Sequence, residues 1–96
     1  MKVNKQDFFT LYMEGNEQVK SNNLAVDEKG FITNYGVRIG KFLFGTLYVN
    51  VTNYSSTTSR NQNILKQMAD EYDKELKEVT EEEMDELAET INDYNA

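Results

Sequence analysis

Ile64-Leu65-Lys66-Gln67-Met68-Ala69-Asp70-Glu71-Tyr72-Asp73-Lys74-Glu75-Leu76-Lys77-Glu78-Val79-Thr80-Glu81-Glu82-Glu83 governs how the whole C-terminal third is read. Ile64, Leu65, Met68, Ala69, Tyr72, Leu76 and Val79 recur at three-and-four spacing, which predicts one amphipathic helix running to Val79. Thr80 and Glu83 then form a capping box. The threonine hydroxyl takes the N–H three residues on, and the glutamate returns to the cap's own N–H. A second helix therefore opens at Thr80, with Met84, Leu87, Ala88, Ile91 and Tyr94 on its apolar face.

Upstream of this stretch the periodicity changes. Lys5 to Met13 reads as a short helix capped by Asn4, with Asp7 favourably placed in the first turn and Phe8, Leu11 and Tyr12 along one side. Gly15 is its expected stop, and Glu14 to Asn23 reads as a polar loop. Leu24–Asp27 and Phe31–Tyr35 flank Glu28-Lys29-Gly30 as a hairpin would, with Gly30 supplying a positive φ. Tyr35, Val37 and Ile39 alternate with Gly36 and Arg38, and Leu47, Val49 and Val51 alternate with Tyr48, Asn50 and Thr52, as half-buried strands do. Between them, Gly40 to Thr46 is either a glycine-bracketed loop or a Gly40-Lys41 turn with a strand starting at Phe42. The expected fold is α+β: a short N-terminal helix, a three- or four-stranded antiparallel sheet and two acidic C-terminal helices. All of it fits one small domain, residues 1–96.

Composition removes whole classes of chemistry. The chain of 96 residues has no Cys, His, Pro or Trp. Disulfides, thiolate nucleophiles, imidazole ligands and a Ser-His-Asp triad are thereby excluded. No D-x-[DN]-x-[DN]-G calcium loop occurs, so neither metal nor cofactor is expected, and an enzyme is the least favoured class. Apolar runs are too short for a membrane span or a signal core, which leads to the expectation of a cytoplasmic protein, in a host cell if phage-encoded. The Asn-x-Ser/Thr sequons at Asn50 and Asn53 carry no weight without a secretory signal.

The net charge of −7 is an uneven average. Residues 1–69 carry five acids and eight bases, whereas residues 70–96 carry twelve acids and only Lys74 and Lys77. The body is mildly basic and the tail strongly acidic. Carboxylates at that density approach the phosphate spacing of a nucleic-acid strand, roughly 3.4 Å. One reading is a solvated face that keeps the protein soluble. The other is that Asp70, Glu71, Asp73, Glu75, Glu78, Glu81, Glu82, Glu83, Asp85, Glu86 and Glu89 meet the basic groove of a nucleic-acid-binding protein. Direct binding to duplex DNA is not expected of such a surface. A basic and aromatic set in the body (Arg38, Lys41, Phe42, Phe44, Tyr48, Tyr54, Arg60) suits stacking on single strands, but Phe42 and Phe44 are also expected to fill the core.

Tyr54-Ser55-Ser56-Thr57-Thr58-Ser59-Arg60 joins the last predicted strand to the long helix. One cap is needed there, from Thr58 or Ser59. The remaining hydroxyls either satisfy the turn or, as Thr57, Thr58, Ser59 and Arg60 together, contact an anion or a partner. This corner, following Leu47-Tyr48-Val49-Asn50, resembles a family of small uncharacterised bacteriophage and plasmid proteins. They run Tyr-Ser-x-Thr-Thr-Ser-Lys/Arg-His into a helix. The resemblance spans roughly Asn34 to Met68, and it departs at Asn61, where the family carries His. It implies a mobile-element origin and assigns no chemistry. By analogy with anti-CRISPR and DNA-mimic inhibitors, the expected function is inhibition of a host nucleic-acid-handling defence protein, such as a CRISPR or restriction nuclease, through the acidic helices. The alternatives are a self-associating phage structural or accessory protein and a weak single-strand-binding module; the oligomeric state stays open.

Overall fold

The computed structural model describes residues 1–95, with side-chain burial through residue 91. The elements in chain order are α1 (Lys5–Met13), β1 (Lys20–Ser21), β2 (Leu24–Val26), β3 (Ile32–Asn34), β4 (Val37–Leu43), β5 (Thr46–Asn50), α2 (Ser56–Glu71), β6 (Glu75–Val79) and α3 (Glu81–Asn95). The α+β class is as expected, but the sheet has six strands in the order β1-β2-β3-β4-β5-β6 rather than three or four. Strands β1 to β5 form an antiparallel meander, and β6 joins β5 in parallel.

The largest departure from expectation lies in the stretch that opened the sequence reading. Leu76 and Val79 fit a helical period, yet α2 stops at Glu71. Asp73 turns into the left-handed region at φ 56 and the Lys74 N–H closes on the Ala69 carbonyl, a C-terminal cap that ends the helix. The chain then runs extended along the open edge of β5, with Thr46 opposite Glu75 and Asn50 opposite Val79. A parallel pair needs a crossover, and α2 supplies it. The two C-terminal helices are thus separated by a strand and lie on opposite faces of the sheet.

Four hairpins set the meander's register. Gly30 has φ 82 in the β2–β3 connection, as expected. Tyr35 and Gly36, expected within a strand, instead form the two-residue turn between Asn34 and Val37, at φ 53 and 80. The last tight turn is neither of the two arrangements anticipated for Gly40 to Thr46. β4 continues through Gly40 and Lys41, and Leu43 pairs with Thr46 across Phe44-Gly45. Gly40 lies flat in the strand because Leu65 of α2 covers it; a Cβ there would stand 2.7 Å from Leu65 Cδ1.

On one face, Phe8, Phe9 and Tyr12 of α1 and Leu65, Met68 and Ala69 of α2 bury Ile32, Ile39, Leu47 and Val49. On the other, Met84 and Ala88 of α3 close over Phe31 and Val79, flanked by Tyr48, Leu87 and Ile91. Tyr94, expected on the same apolar face of α3, lies outside the described side chains. Among the described residues no helix is long and apolar enough to cross a membrane.

Candidate functional site

The most strongly charged surface is α3, and the sheet beneath it is built to hold that helix. Asp27 organises the platform: its Oδ1 accepts the N–H groups of Lys29 at 3.0 Å and Phe31 at 2.9 Å, and its Oδ2 accepts Arg38 Nε at 2.7 Å. The Arg38 guanidinium lies 5.1 Å from the centroid of the Phe31 ring, so cation and aromatic hold each other in place under Met84 and Ala88. Lys29 Nζ reaches up to the Ala88 carbonyl at 3.3 Å. The helix start is pinned by the expected capping box, with Glu83 N–H on Thr80 Oγ1 at 3.2 Å and Thr80 N–H on Glu83 Oε1 at 3.0 Å. Glu81 N–H adds a bond to Thr52 Oγ1.

With its apolar side fixed, α3 turns a stripe of carboxylates outward. Glu82, Asp85, Glu86 and Glu89 sit at i, i+3, i+4 and i+7, and all are exposed. From Glu82 to Glu89 the helix rises about 10 Å in steps of about 4.5, 1.5 and 4.5 Å between carboxylates, a mean of ~3.5 Å along the axis. α3 contains no Lys or Arg. Glu81 and Glu83 are also exposed, but Glu83 is engaged in the cap.

The other acidic candidates are not brought into that stripe. Asp70 and Glu71 lie at the end of α2, where the helix dipole disfavours carboxylates and no basic residue offsets them. Asp73 forms the cap turn. Glu75 and Glu78 lie on β6, and Glu78 pairs with Lys66 of α2 at 3.5 Å. The expected continuous acidic helical track is therefore broken by β6. Lys74 and Lys77 are drawn onto the Phe42 and Tyr48 rings, at 5.6 and 5.9 Å from their centroids.

The hydroxyl-rich corner also differs from expectation. Ser55, not Thr58 or Ser59, caps α2, accepting the Thr58 N–H at 3.3 Å. Thr58 is buried and its hydroxyl bonds Ser55, so it does not face solvent with the exposed Thr57 and Arg60 and the half-buried Ser59. The signal missed in the sequence is a buried polar stripe, Thr58, Asn61 and Gln62 at i, i+3 and i+4, which continues the helix face that carries the buried Leu65 at i+7. Gln62 Nε2 donates to the carbonyls of Asn50 at 2.7 Å and Thr52 at 2.9 Å, and Asn61 Nδ2 donates to Asn34 Oδ1 at 3.2 Å. These amides tie α2 to the ends of β3 and β5. Asn61 thus joins α2 to the end of β3.

The basic and aromatic set is dispersed. Arg38 is used in the platform, Phe42 is half-buried against the core as expected, and Tyr48 is half-buried with α3. Phe44 is not a core residue: it is 93% exposed at the β4–β5 turn. Beside it a mainly apolar hollow of about 690 Å³ is lined by Leu43, Leu87 and Ile91, with Lys29, Lys41, Glu17 and Glu28 at its rim. Burial pushes the Tyr54 hydroxyl above its usual pKa, with the neighbouring Glu81 charge acting in the same direction. No cluster of acidic side chains with metal-binding geometry occurs among the described residues. Comparison with protein-family models, curated proteins and solved structures finds no match to this chain.

Proposed function

We propose that this is a non-enzymatic, mobile-element-type protein that binds and inhibits a host nucleic-acid-handling defence protein, with α3 as its contact surface. The observation that carries this reading is the outward stripe Glu82, Asp85, Glu86 and Glu89 on a helix without a base. Its mean axial charge density, one carboxylate per ~3.5 Å, is close to that of one nucleic-acid strand, one phosphate per ~3.4 Å. A basic groove shaped for phosphates would attract the stripe by long-range complementarity. Phe44, exposed beside the α3 hollow, supplies the apolar anchor that charge alone lacks.

The test is affinity capture from host lysate with the wild-type chain and with a variant carrying Glu82→Lys, Asp85→Lys, Glu86→Lys and Glu89→Lys, all at exposed positions. The expected result is a nucleic-acid-binding protein that is retained by wild type alone. It should be displaced by duplex DNA and by about 0.5 M salt, where screening cuts charge attraction to within ~4 Å. Capture by both chains, or capture indifferent to DNA and salt, refutes the acidic-surface reading.

A further inference from the structure

We infer that the free edge of β6 is a self-pairing surface, on which a second copy of this chain adds its own β6 antiparallel about a two-fold axis through Leu76. This inference stands on the strand alone and does not depend on the function proposed above.

Among the described residues β6 is the last strand of the sheet, bonded to β5 on one side only. The Glu75 N–H bonds the Gly45 carbonyl, and the Val79 carbonyl accepts the Val51 N–H, so the backbone groups of Glu75, Lys77 and Val79 turn toward β5. Alternation then turns those of Leu76 and Glu78 toward the open edge. Exposed edges are ordinarily guarded by charge, and Glu75, Lys77 and Glu78 could be read as such a guard. A charge guards an edge by the cost of covering it without a partner, and that cost is offset in a register that meets each charge with its opposite.

A two-fold axis perpendicular to the sheet keeps each face on its own side, so it must pass through a residue. On Lys77 it sets Lys77 against Lys77, and on Glu78 it sets Glu78 against Glu78. On Leu76 it sets Glu75 against Lys77 of the other copy, and Lys74 against Glu78, each twice. Leu76 meets its own copy at the centre. That register places opposite charges across the strands and covers Leu76, a large apolar side chain left 38% exposed. It also makes Leu76 a hydrogen-bonded pair, since its N–H and C=O already face outward. Of the three axes, only this one combines charge complementarity with an apolar centre. The product is a continuous sheet of twelve strands, six from each copy. Both α3 helices then lie on one of its faces.

The experiment is sedimentation equilibrium across the micromolar range on wild type, Glu75→Lys, Lys77→Glu and a one-to-one mixture of the two variants. Both positions are exposed, and far-UV circular dichroism checks that each variant is folded. Wild type is expected to dimerise with concentration. Each single variant puts like charges in contact at two symmetric positions, and its dimer should weaken by about ten-fold or more. In the mixture, the lysine introduced at position 75 meets the glutamate introduced at position 77, and native Lys77 meets native Glu75. Dimerisation should therefore return. A wild type that stays monomeric, variants that dimerise as well as wild type, or a mixture no tighter than its components would each overturn the proposal.

Discussion

Replacing Phe44 by asparagine should stabilise the protein, although it removes an aromatic residue. Leu43 pairs with Thr46, so Phe44 and Gly45 are the two central residues of a two-residue hairpin loop. Their φ angles are 50° and 82°, as a type I′ turn requires. Glycine is at ease there, but a bulky L-residue in the left-handed region costs roughly 1–2 kcal/mol. Phenylalanine recovers little of that by burial. At 93% exposure it covers about 15 Å² of its surface, which contributes about 0.4 kcal/mol at ~25 cal/mol per Å². Asparagine tolerates the left-handed region and makes the favoured Asn-Gly loop. The expected net gain is about 0.5–1 kcal/mol, equivalent to a rise in Tm of roughly 3–6 °C for a domain of this size.

The assay is thermal and urea unfolding of wild type, Phe44→Asn and Phe44→Ala. Alanine is the control: it keeps Cβ and therefore the strain, and loses the small contact, so it should show no gain. Equal Tm values for the asparagine and alanine variants would refute the strain argument. The same substitution removes the proposed apolar anchor. A variant that is more stable yet captures less partner would separate a residue kept for contact from one kept for folding.

Two other expectations follow from buried or capping groups. Tyr12 donates its hydroxyl to the Gly30 carbonyl at 2.7 Å and accepts the Phe42 N–H at 3.0 Å, and burial pushes its pKa up to about 12. A raised pKa favours the neutral phenol of the folded state. The stabilisation is thus complete below the unfolded value near 10 and is lost as pH climbs from about 10 to 12, by about 2–3 kcal/mol. Tyr12→Phe should flatten that alkaline loss in unfolding measured against pH, while costing about 1–3 kcal/mol at neutral pH for the orphaned backbone groups. Ser55→Ala should cost about 1 kcal/mol in urea unfolding by removing the α2 cap, whereas Ser59→Ala should stay within about 0.5 kcal/mol. The opposite ranking would restore the cap to the position suggested by the sequence.

Much of the architecture is legible in local chemistry. Asn4 caps α1 through the Asp7 N–H, Gly30 carries the positive φ of its hairpin, and Thr80 with Glu83 opens α3. Each is a short-range bond between residues a few positions apart, so composition and spacing suffice to find it. The outward stripe of α3 is legible for the same reason, because a capped helix with Met84 and Ala88 inward has to present Glu82, Asp85, Glu86 and Glu89 outward. The α2 cap is Ser55 rather than Thr58 or Ser59, because Asn61 and Gln62 bond the ends of β3 and β5 and so carry Thr58, on the same helix face, inward against Ser55. Those partners are remote in the chain.

Residues 75–79 mark the boundary between the two kinds of information. By itself the sequence determined the α+β class, the starts of α1 and α3, the alternation within β4 and β5 and the crowding of acid into the C-terminal third. It left Leu76 and Val79 at a spacing that a helix and a strand both allow. Only the tertiary structure decided between them: β5 offers an unpaired edge, and the Asp73 turn delivers the chain to it. A parallel strand draws its backbone hydrogen bonds from a partner some thirty residues away, and no local pattern encodes that supply. The same placement splits the acidic tail, leaving α3 with a phosphate-like stripe and β6 with an edge whose charges match its own copy.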